Sequence, residues 1–204
     1  MAQKRPLSLL ETALRRLCAD LVAAKARFAL VGGLAVSVRT EPRFTRDADL
    51  VVALESDEEA EALILHLQQG GYAVVATVEQ NAADRLATVR LRPSGAGEMG
   101  ALLDLLFASS GIEGEIVAEA ELLEVLPELR VPVAKMEHLI ALKILSRDDR
   151  ERPQDIIDLR ALTKQASSEE LARAQTALAL IESRGFHRER HLRSLFEDFL
   201  REDR

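Results

Sequence analysis

Two aspartates spaced two residues apart, Asp47 and Asp49, form the first pattern in the sequence that indicates chemistry. They stand at the start of an apolar segment that predicts a β-strand, and side chains two apart on a strand project from the same face. Carboxylates brought together repel each other, and burial makes that repulsion more costly. A hard divalent cation with oxygen ligands is the usual compensation, so the pair indicates a Mg²⁺ or Mn²⁺ site.

A third carboxylate, Asp104, lies in the middle of the apolar segment 101–107, which also predicts a strand. Burying an unpaired carboxylate inside a sheet is costly. Asp104 therefore needs either a partner or an exposed position on an edge strand. The best partner that the sequence offers is a cation held by Asp47 and Asp49, and the exposed edge position remains the alternative.

The segment 28–53 supplies the elements that must position the first two carboxylates. It predicts an apolar strand at Phe28–Val31, a turn at Gly32 and Gly33, a short helix over 34–39, a loop, and the strand that begins with the aspartates. Backbone N–H groups at a glycine turn that starts a helix can bind phosphate groups. By itself, however, a Gly-Gly pair after a strand is usually only a turn.

Together, the strand, the Gly-Gly pair, the short helix and the spacing Arg-x-Thr-x-Asp-x-Asp resemble the signature of the polymerase-β-like nucleotidyltransferase superfamily, and most closely its AbiEii-type toxin branch. The residues that carry the resemblance are Gly32, Gly33, Arg43, Thr45, Asp47 and Asp49. The resemblance implies transfer of NMP from an NTP to a hydroxyl acceptor. It also implies that Asp104 joins Asp47 and Asp49 as a metal ligand or acts as the base, and that the glycines, Arg43 and Thr45 contact the nucleotide.

The C-terminal part adds a second set of charged residues. Lys143, then Arg147 or Arg150, then Asp155 and Asp158 resemble the lysine and aspartate motifs of the same branch. The resemblance implies that Lys143 contacts the phosphates during catalysis and that Asp158 completes the nucleotide pocket. A snorkelling lysine and an aspartate matched to the helix dipole are the alternatives. The branch often has Lys immediately before the first aspartate, where this chain has Gln154, so the preferred nucleotide stays open.

The composition limits the classes of protein to consider. The chain has 204 residues, 48% of them hydrophobic, with 3% aromatic residues and a net charge of −7. These values support a sizeable core and disfavour a globally basic nucleic-acid binder or an aromatic stacking platform. Cys18 is the single cysteine, which excludes a disulfide framework. We find no apolar run of membrane-spanning length and expect a cytoplasmic protein without membrane contact.

The predicted fold class is α+β, with a nucleotidyltransferase-like mixed sheet of about five strands flanked by helices. We expect a catalytic domain over 1–134 and a C-terminal helical domain over 135–204. The predicted helices cover 7–25, 57–69, 116–123, 135–147, a segment from Pro153, 167–183 and 187–201; the predicted strands lie at 28–31, 47–53, 72–78, 85–92 and 101–107, with a short strand or extended segment at 129–133.

Three functions remain open at this stage. The chain could be a toxin-like enzyme that adds nucleotides to RNA, for example tRNA, and is held in check by an antitoxin partner. It could instead modify a small molecule such as an antibiotic, or be a non-catalytic nucleotide-binding module. A local basic cluster near the start of the last predicted helix slightly favours RNA, although such a cluster is usually a solvated face. It consists of Arg184, His187, Arg188, Arg190, His191 and Arg193.

Overall fold

A computed structural model describes residues 8–80, 85–95, 97, 100–148 and 153–203. The helices are α1 Leu9–Ala23, α2 Gly32–Arg39, α3 Asp57–Gln69, α4 Glu113–Glu119, α5 Met136–Ser146, α6 Pro153–Gln165, α7 Ser168–Ser183 and α8 Leu192–Glu202. The strands are β1 Phe28–Val31, β2 Asp47–Val52, β3 Tyr72–Gln80, β4 Arg85–Pro93, β5 Leu102–Leu106, β6 Glu121–Leu126 and β7 Leu129–Val133.

The strands form one mixed sheet in the order β3-β4-β5-β2-β1-β7-β6. The pairs β2–β5 and β1–β7 are parallel, and the other neighbours are antiparallel. The predicted α+β class with a mixed sheet and C-terminal helices is therefore confirmed. The sheet has seven strands in the described residues, two more than the sequence predicted as definite strands.

Local sequence explains why these elements form where they do. On β4, the inward-facing Ala87, Val89 and Leu91 are buried, as strict alternation predicts for a strand with one covered face. The hydroxyls of Ser8 and Ser167 each accept from the backbone N–H three residues later, and a glutamate at that third position bonds back, so α1 and α7 begin with complete capping boxes. Helix α5 is buried on nearly every side, which places it at the centre of the C-terminal helices.

Three predicted boundaries were wrong. Helix α2 begins at Gly32 rather than at residue 34, so both glycines belong to its first turn. The helix predicted over 116–123 ends at Glu119, and β6 follows immediately to pair with β7. The last helix begins at Leu192 rather than at residue 187, after two residues with positive φ angles, Arg188 at 52° and Glu189 at 58°.

The buried apolar side chains of the sheet and of the C-terminal helices form one contiguous cluster. Helix α5 contributes Leu139, Ile140 and Ile144 to this cluster, and α8 contributes Phe196. Within the described ranges, no helix is long and apolar enough to cross a membrane.

Candidate active site

Asp49 and Asp104 lie opposite each other on neighbouring strands. They are register partners in the parallel pair β2–β5, and Asp47 is paired with Leu102 one step earlier on the same face of β2. Register partners project from the same face of a sheet, so the three carboxylates face one cleft. The alternative that Asp104 is a surface residue on an edge strand does not hold, because β5 is an interior strand and Asp104 is buried.

The electrostatics of Asp49 reflect this crowding. Burial raises the pKa of its carboxyl to about 7, and the negative charges of Asp47 and Asp104 add to the rise. Lys143 and Arg90 act in the opposite direction without cancelling it. An oxygen-rich site with uncompensated negative charge suits a hard divalent cation, so the donor set fits Mg²⁺ or Mn²⁺.

Thr45 positions the first carboxylate of the pair. Its hydroxyl lies 2.9 Å from Asp47 Oδ1 and 3.2 Å from the Asp47 carbonyl oxygen. Thr45 thus contacts the protein's own aspartate, and the predicted contact with nucleotide stays a prediction.

Arg90 is a member of the site that the sequence did not reveal. It is the register partner of Asp104 on β4, and its Nε and Nη2 donate to the two carboxylate oxygens at 2.8 and 2.7 Å. The hydrogen bonds to Asp104 raise the pKa of Arg90 despite the opposing effect of burial. Both carboxylate oxygens of Asp104 are therefore hydrogen-bonded to the guanidinium of Arg90. Among the described side chains, no three acidic, His or Cys residues are close enough together to hold a metal ion as they stand.

The two glycines are closely packed against the charged residues. Gly32 has a φ of +64°, which disfavours other residues, and a Cβ at this position would overlap the carboxylate of Asp49. A Cβ at Gly33 would overlap the guanidinium of Arg43. Because Val31 at the N-cap supplies no side-chain hydrogen bond, the first N–H groups of α2 lack that partner at the wall of the cleft.

A second charged cluster faces the carboxylates from the C-terminal helices. Lys143 Nζ lies 2.6 Å from Asp155 Oδ1 and 2.8 Å from Asp158 Oδ2. Arg43 Nη2 lies 2.7 Å from the same oxygen of Asp158, so the loop before β2 is tied to α6. Ser146 donates to Asp155 at 2.9 Å. Two cations and two anions thus form a balanced network.

Burial alone would raise the pKa of Asp158, but hydrogen bonds from Arg43, Lys143 and Gln154 outweigh it and lower that pKa. Asp158 is only 1% exposed, which makes these partners essential for keeping it charged. The sequence singled out Arg43, Lys143 and Asp158, and the structure brings all three together.

Both clusters line one cleft of about 800 Å³. The glycine turn, the three carboxylates and Arg90 form one side, and Lys143, Ser146, Gln154 and Asp155 form the other; Val78, Glu79, Thr88 and Arg188 also contribute to its lining. The Arg147 guanidinium instead lies 5.7 Å from the ring centroid of Phe199. Arg150, the alternative to Arg147, lies outside the described residues.

The local basic cluster does not form a single helical face. Arg184 is paired with Glu115 and Arg193 with Glu182, while Arg190 donates to the Leu145 carbonyl oxygen at 3.1 Å. Arg188 is the member of this cluster that lines the cleft. His187 and His191 precede α8, so they do not lie in the helix that the sequence predicted over 187–201.

Comparison with known proteins agrees with the geometry of the cleft. A family model described as "Nucleotidyl transferase AbiEii toxin, Type IV TA system" matches residues 13–204. A search of the curated proteins finds no significant match.

Several solved structures share the fold. The antibiotic-resistance factor ANT(2'')-Ia aligns with a TM-score of 0.56 and 19% identity, over 85% of this chain and 91% of that one. A nucleotidyltransferase-like protein from Paracoccidioides brasiliensis aligns with a TM-score of 0.53 and 21% identity, over 95% of each chain. A complex of ANT(2")-Ia with adenylyl-2"-tobramycin aligns with a TM-score of 0.54 and 20% identity, over 85% of this chain and 97% of that one. These likenesses show a nucleotidyltransferase fold.

Proposed function

Because the chain belongs to the AbiEii family of nucleotidyl transferases, we propose that it transfers NMP from an NTP to a hydroxyl group of an RNA acceptor, such as tRNA. The observation that carries the proposal is the pairing of Asp49 with Asp104 on adjacent strands, beside the glycine turn at Gly32. This arrangement gathers negative oxygen ligands next to backbone N–H donors, which are the two kinds of group that a metal-bound triphosphate needs.

Asp47, Asp49 and Asp104 would hold the divalent cations. A bound Mg²⁺ or Mn²⁺ supplies charge stabilisation on the phosphate oxygens and makes the acceptor hydroxyl more acidic. Asp104 can act as ligand or as base for that hydroxyl through the lone pairs of its oxygens that the two hydrogen bonds from Arg90 leave free. Thr45 holds Asp47 in place through its hydroxyl.

The nucleotide would be bound between the two charged clusters. The N–H groups of Gly32 and Gly33 at the start of α2 would receive the phosphates, since the N-cap residue Val31 offers them no side-chain acceptor. Lys143 would neutralise charge as pyrophosphate leaves. In the structure its ammonium group is balanced by Asp155 and Asp158, so a phosphate contact requires that Lys143 exchange one of these partners.

Arg43 and Asp158 would position the site rather than react. Their ion pair links the loop before the catalytic strand to α6, and the loop carries Thr45. Through this link the C-terminal helices fix the loop from which β2 begins.

An RNA acceptor is supported by two arginines of the cleft lining, Arg90 and Arg188, which can donate to the phosphates of a nucleic-acid backbone. The carboxylates of the same lining outnumber its cations, so the cleft as a whole does not repel a polyamine. The structure of ANT(2")-Ia with adenylyl-2"-tobramycin keeps the small-molecule alternative in the test, because that protein has the same fold.

The test is incubation of the protein with each of the four labelled NTPs, with Mg²⁺ or Mn²⁺, and with either total RNA or a panel of aminoglycosides and lincosamides. We expect label to enter RNA with the wild type and to disappear with Asp49→Ala. Asp198→Ala is the matched control, since Asp198 is a surface residue of α8 whose side chain is 56% exposed. Label on the small molecules would replace the RNA proposal, and no incorporation together with no NTP binding would leave a non-catalytic module.

We also propose that the protein acts as a toxin controlled by an antitoxin, as the description of the matching family suggests. Expression of the wild type should slow bacterial growth, while Asp49→Ala should not. Co-expression of the adjacent gene should restore growth without any change in the amount of the toxin protein. Equal growth of the wild type and Asp49→Ala would argue against this role.

A further inference from the structure

Four residues on adjacent strands lie side by side as register partners, and the row that they form runs from Val31 through Asp49 and Asp104 to Arg90. Val31 pairs with Asp49, Asp49 with Asp104, and Asp104 with Arg90, across β1, β2, β5 and β4. Because β1 runs directly into Gly32, the row begins at the glycine turn. Neighbouring strands are about 4.8 Å apart, so the backbone of Arg90 lies three strand spacings, roughly 14 Å, from the end of β1.

If the proposed function holds, this order sets how the two substrates lie along the cleft. The triphosphate would lie at the glycine turn, at one end of the row, and the carboxylates would lie in the middle. An acceptor hydroxyl attacks the phosphorus from the side opposite the leaving pyrophosphate, because the displacement is in line. The acceptor therefore approaches from the Arg90 end of the row.

Arg90 and a divalent cation would share one carboxylate. The guanidinium donates to both oxygens of Asp104, at 2.8 and 2.7 Å. A divalent cation bound to the free lone pairs of the same oxygens would repel the guanidinium, since both groups are positively charged. The Arg90 side chain is 41% exposed, whereas that of Asp104 is 9% exposed, so it is the guanidinium that has room to move away.

We propose that Arg90 changes partners during the reaction: when Asp104 turns to the cation, the guanidinium is released and binds a phosphate of the acceptor. The planar fork that fits a carboxylate fits a phosphate equally well. Glu79 also lines the cleft, so the attraction comes from this one guanidinium rather than from a uniformly positive surface. Arg90 is thus a specificity-determining residue that selects anionic acceptors.

The test compares Arg90→Gln and Arg90→Lys with the control Arg85→Gln. Arg85 is on the same strand as Arg90, and its side chain pairs with Asp57 rather than with a residue of the cleft. The Arg85→Gln variant removes the same charge as Arg90→Gln. The probe is fluorescently labelled bulk tRNA, and its Kd is measured by anisotropy at several salt concentrations, with Mn²⁺ and a non-hydrolysable NTP analogue present. Binding of the NTP analogue alone is measured in parallel by calorimetry.

We expect Arg90→Gln to weaken tRNA binding about tenfold, the effect of one charge-assisted contact. The slope of log Kd against log salt should fall by about one, since one fewer phosphate is neutralised. Arg90→Lys should keep the wild-type slope while losing part of the affinity. Arg85→Gln should match the wild type in both and in its binding of the NTP analogue. The tRNA titrations of the Arg90 variants are run at a saturating concentration of the analogue, because Arg90 contacts Asp104 of the nucleotide site.

An unchanged slope in Arg90→Gln, at a saturating concentration of the NTP analogue, would overturn the inference while leaving the proposed function standing. A lower slope in Arg90→Lys, whose charge is intact, would also overturn it, because the loss would then reflect altered packing. Failure of the wild type itself to bind the NTP analogue would overturn the proposed function, and the inference with it.

Discussion

Gly32 and the carboxylate of Asp49 are in direct contact, so that the start of α2 lies against the face of the sheet that carries the three carboxylates. A methyl group at position 32 would overlap Asp49 Oδ2 and Cγ, and the φ of +64° would strain any other residue there. This glycine is therefore required both for its backbone conformation and for the position of a carboxylate two strands away from Arg90. The contact explains why the glycine pair and the aspartate pair occur in the same motif.

Gly32→Ala should destabilise the fold by at least about 1 kcal/mol, because of left-handed strain, and should displace Asp49. The measurement is urea unfolding together with nucleotide binding. Gly114→Ala is the matched control: no atom lies within 4 Å of its added Cβ, and it lies within α4, where Ala is favoured by up to about 1 kcal/mol. Equal unfolding midpoints for the two variants would contradict the proposed contact.

Asp49→Asn should change how stability depends on pH. The pKa of Asp49 is raised from 3.8 to about 7, so between these values the folded protein binds more protons than the unfolded chain. The free energy of unfolding therefore falls as pH rises through this window. Asp49→Asn removes this loss, and we expect it to be more stable than the wild type by up to about 4 kcal/mol at pH 8 and nearly equal at pH 4. Thermal unfolding at both pH values measures the difference, and an equal gain at both would contradict it.

Divalent cations should stabilise the protein in a pH-dependent way. A cation favours the charged form of Asp49, so its binding competes with a proton up to about pH 7. We expect Mn²⁺ to raise the melting temperature more at pH 8 than at pH 6, and EDTA to reverse the effect. The gain should be absent in Asp49→Asn. A similar gain in that variant would indicate cation binding elsewhere on the surface.

The ion pair between Arg43 and Asp158 should be strongly coupled to stability. A double-mutant cycle with Arg43→Met and Asp158→Asn should give a coupling energy of about 2 kcal/mol, since Asp158 is almost fully buried. The surface pair Arg160–Asp203 has the same kind of contact at 2.8 Å, with side chains 60% and 31% exposed. The corresponding cycle there, Arg160→Met with Asp203→Asn, should give about 0.5 kcal/mol or less. Equal couplings would show that burial of the first pair adds nothing.

The sequence was sufficient where the signal was local. Alternation and the two spaced aspartates predicted β2, and a lone charge inside an apolar segment predicted that Asp104 needs a partner. The helix predicted over 167–183 matches α7, whose N-cap Ser167 and Glu170 are three residues apart. Each of these features depends on a few neighbouring residues, so a single amino-acid sequence is enough to predict it.

Features that depend on distant residues were missed. Arg90 looked like one of several outward-facing charges on β4, and only its register with β5, fourteen residues away, makes it the partner of Asp104. Segment 121–126 is rich in Leu and Glu, which favour helix, yet pairing with β7 outweighs that preference. The start of α8 was missed because His187 to Arg190 are polar and helix-compatible, whereas the first buried anchor is Leu192.

The hairpin formed by β3 and β4 supplies Val78, Glu79, Thr88 and Arg90 to the cleft, but only β3 is an edge strand, since β4 also pairs with β5. Arg90 on β4 is tied to Asp104, whereas Val78 and Glu79 lie on the border of the described sheet. If the proposed function holds, related proteins could acquire new targets through substitutions on this one border strand and keep the row of carboxylates.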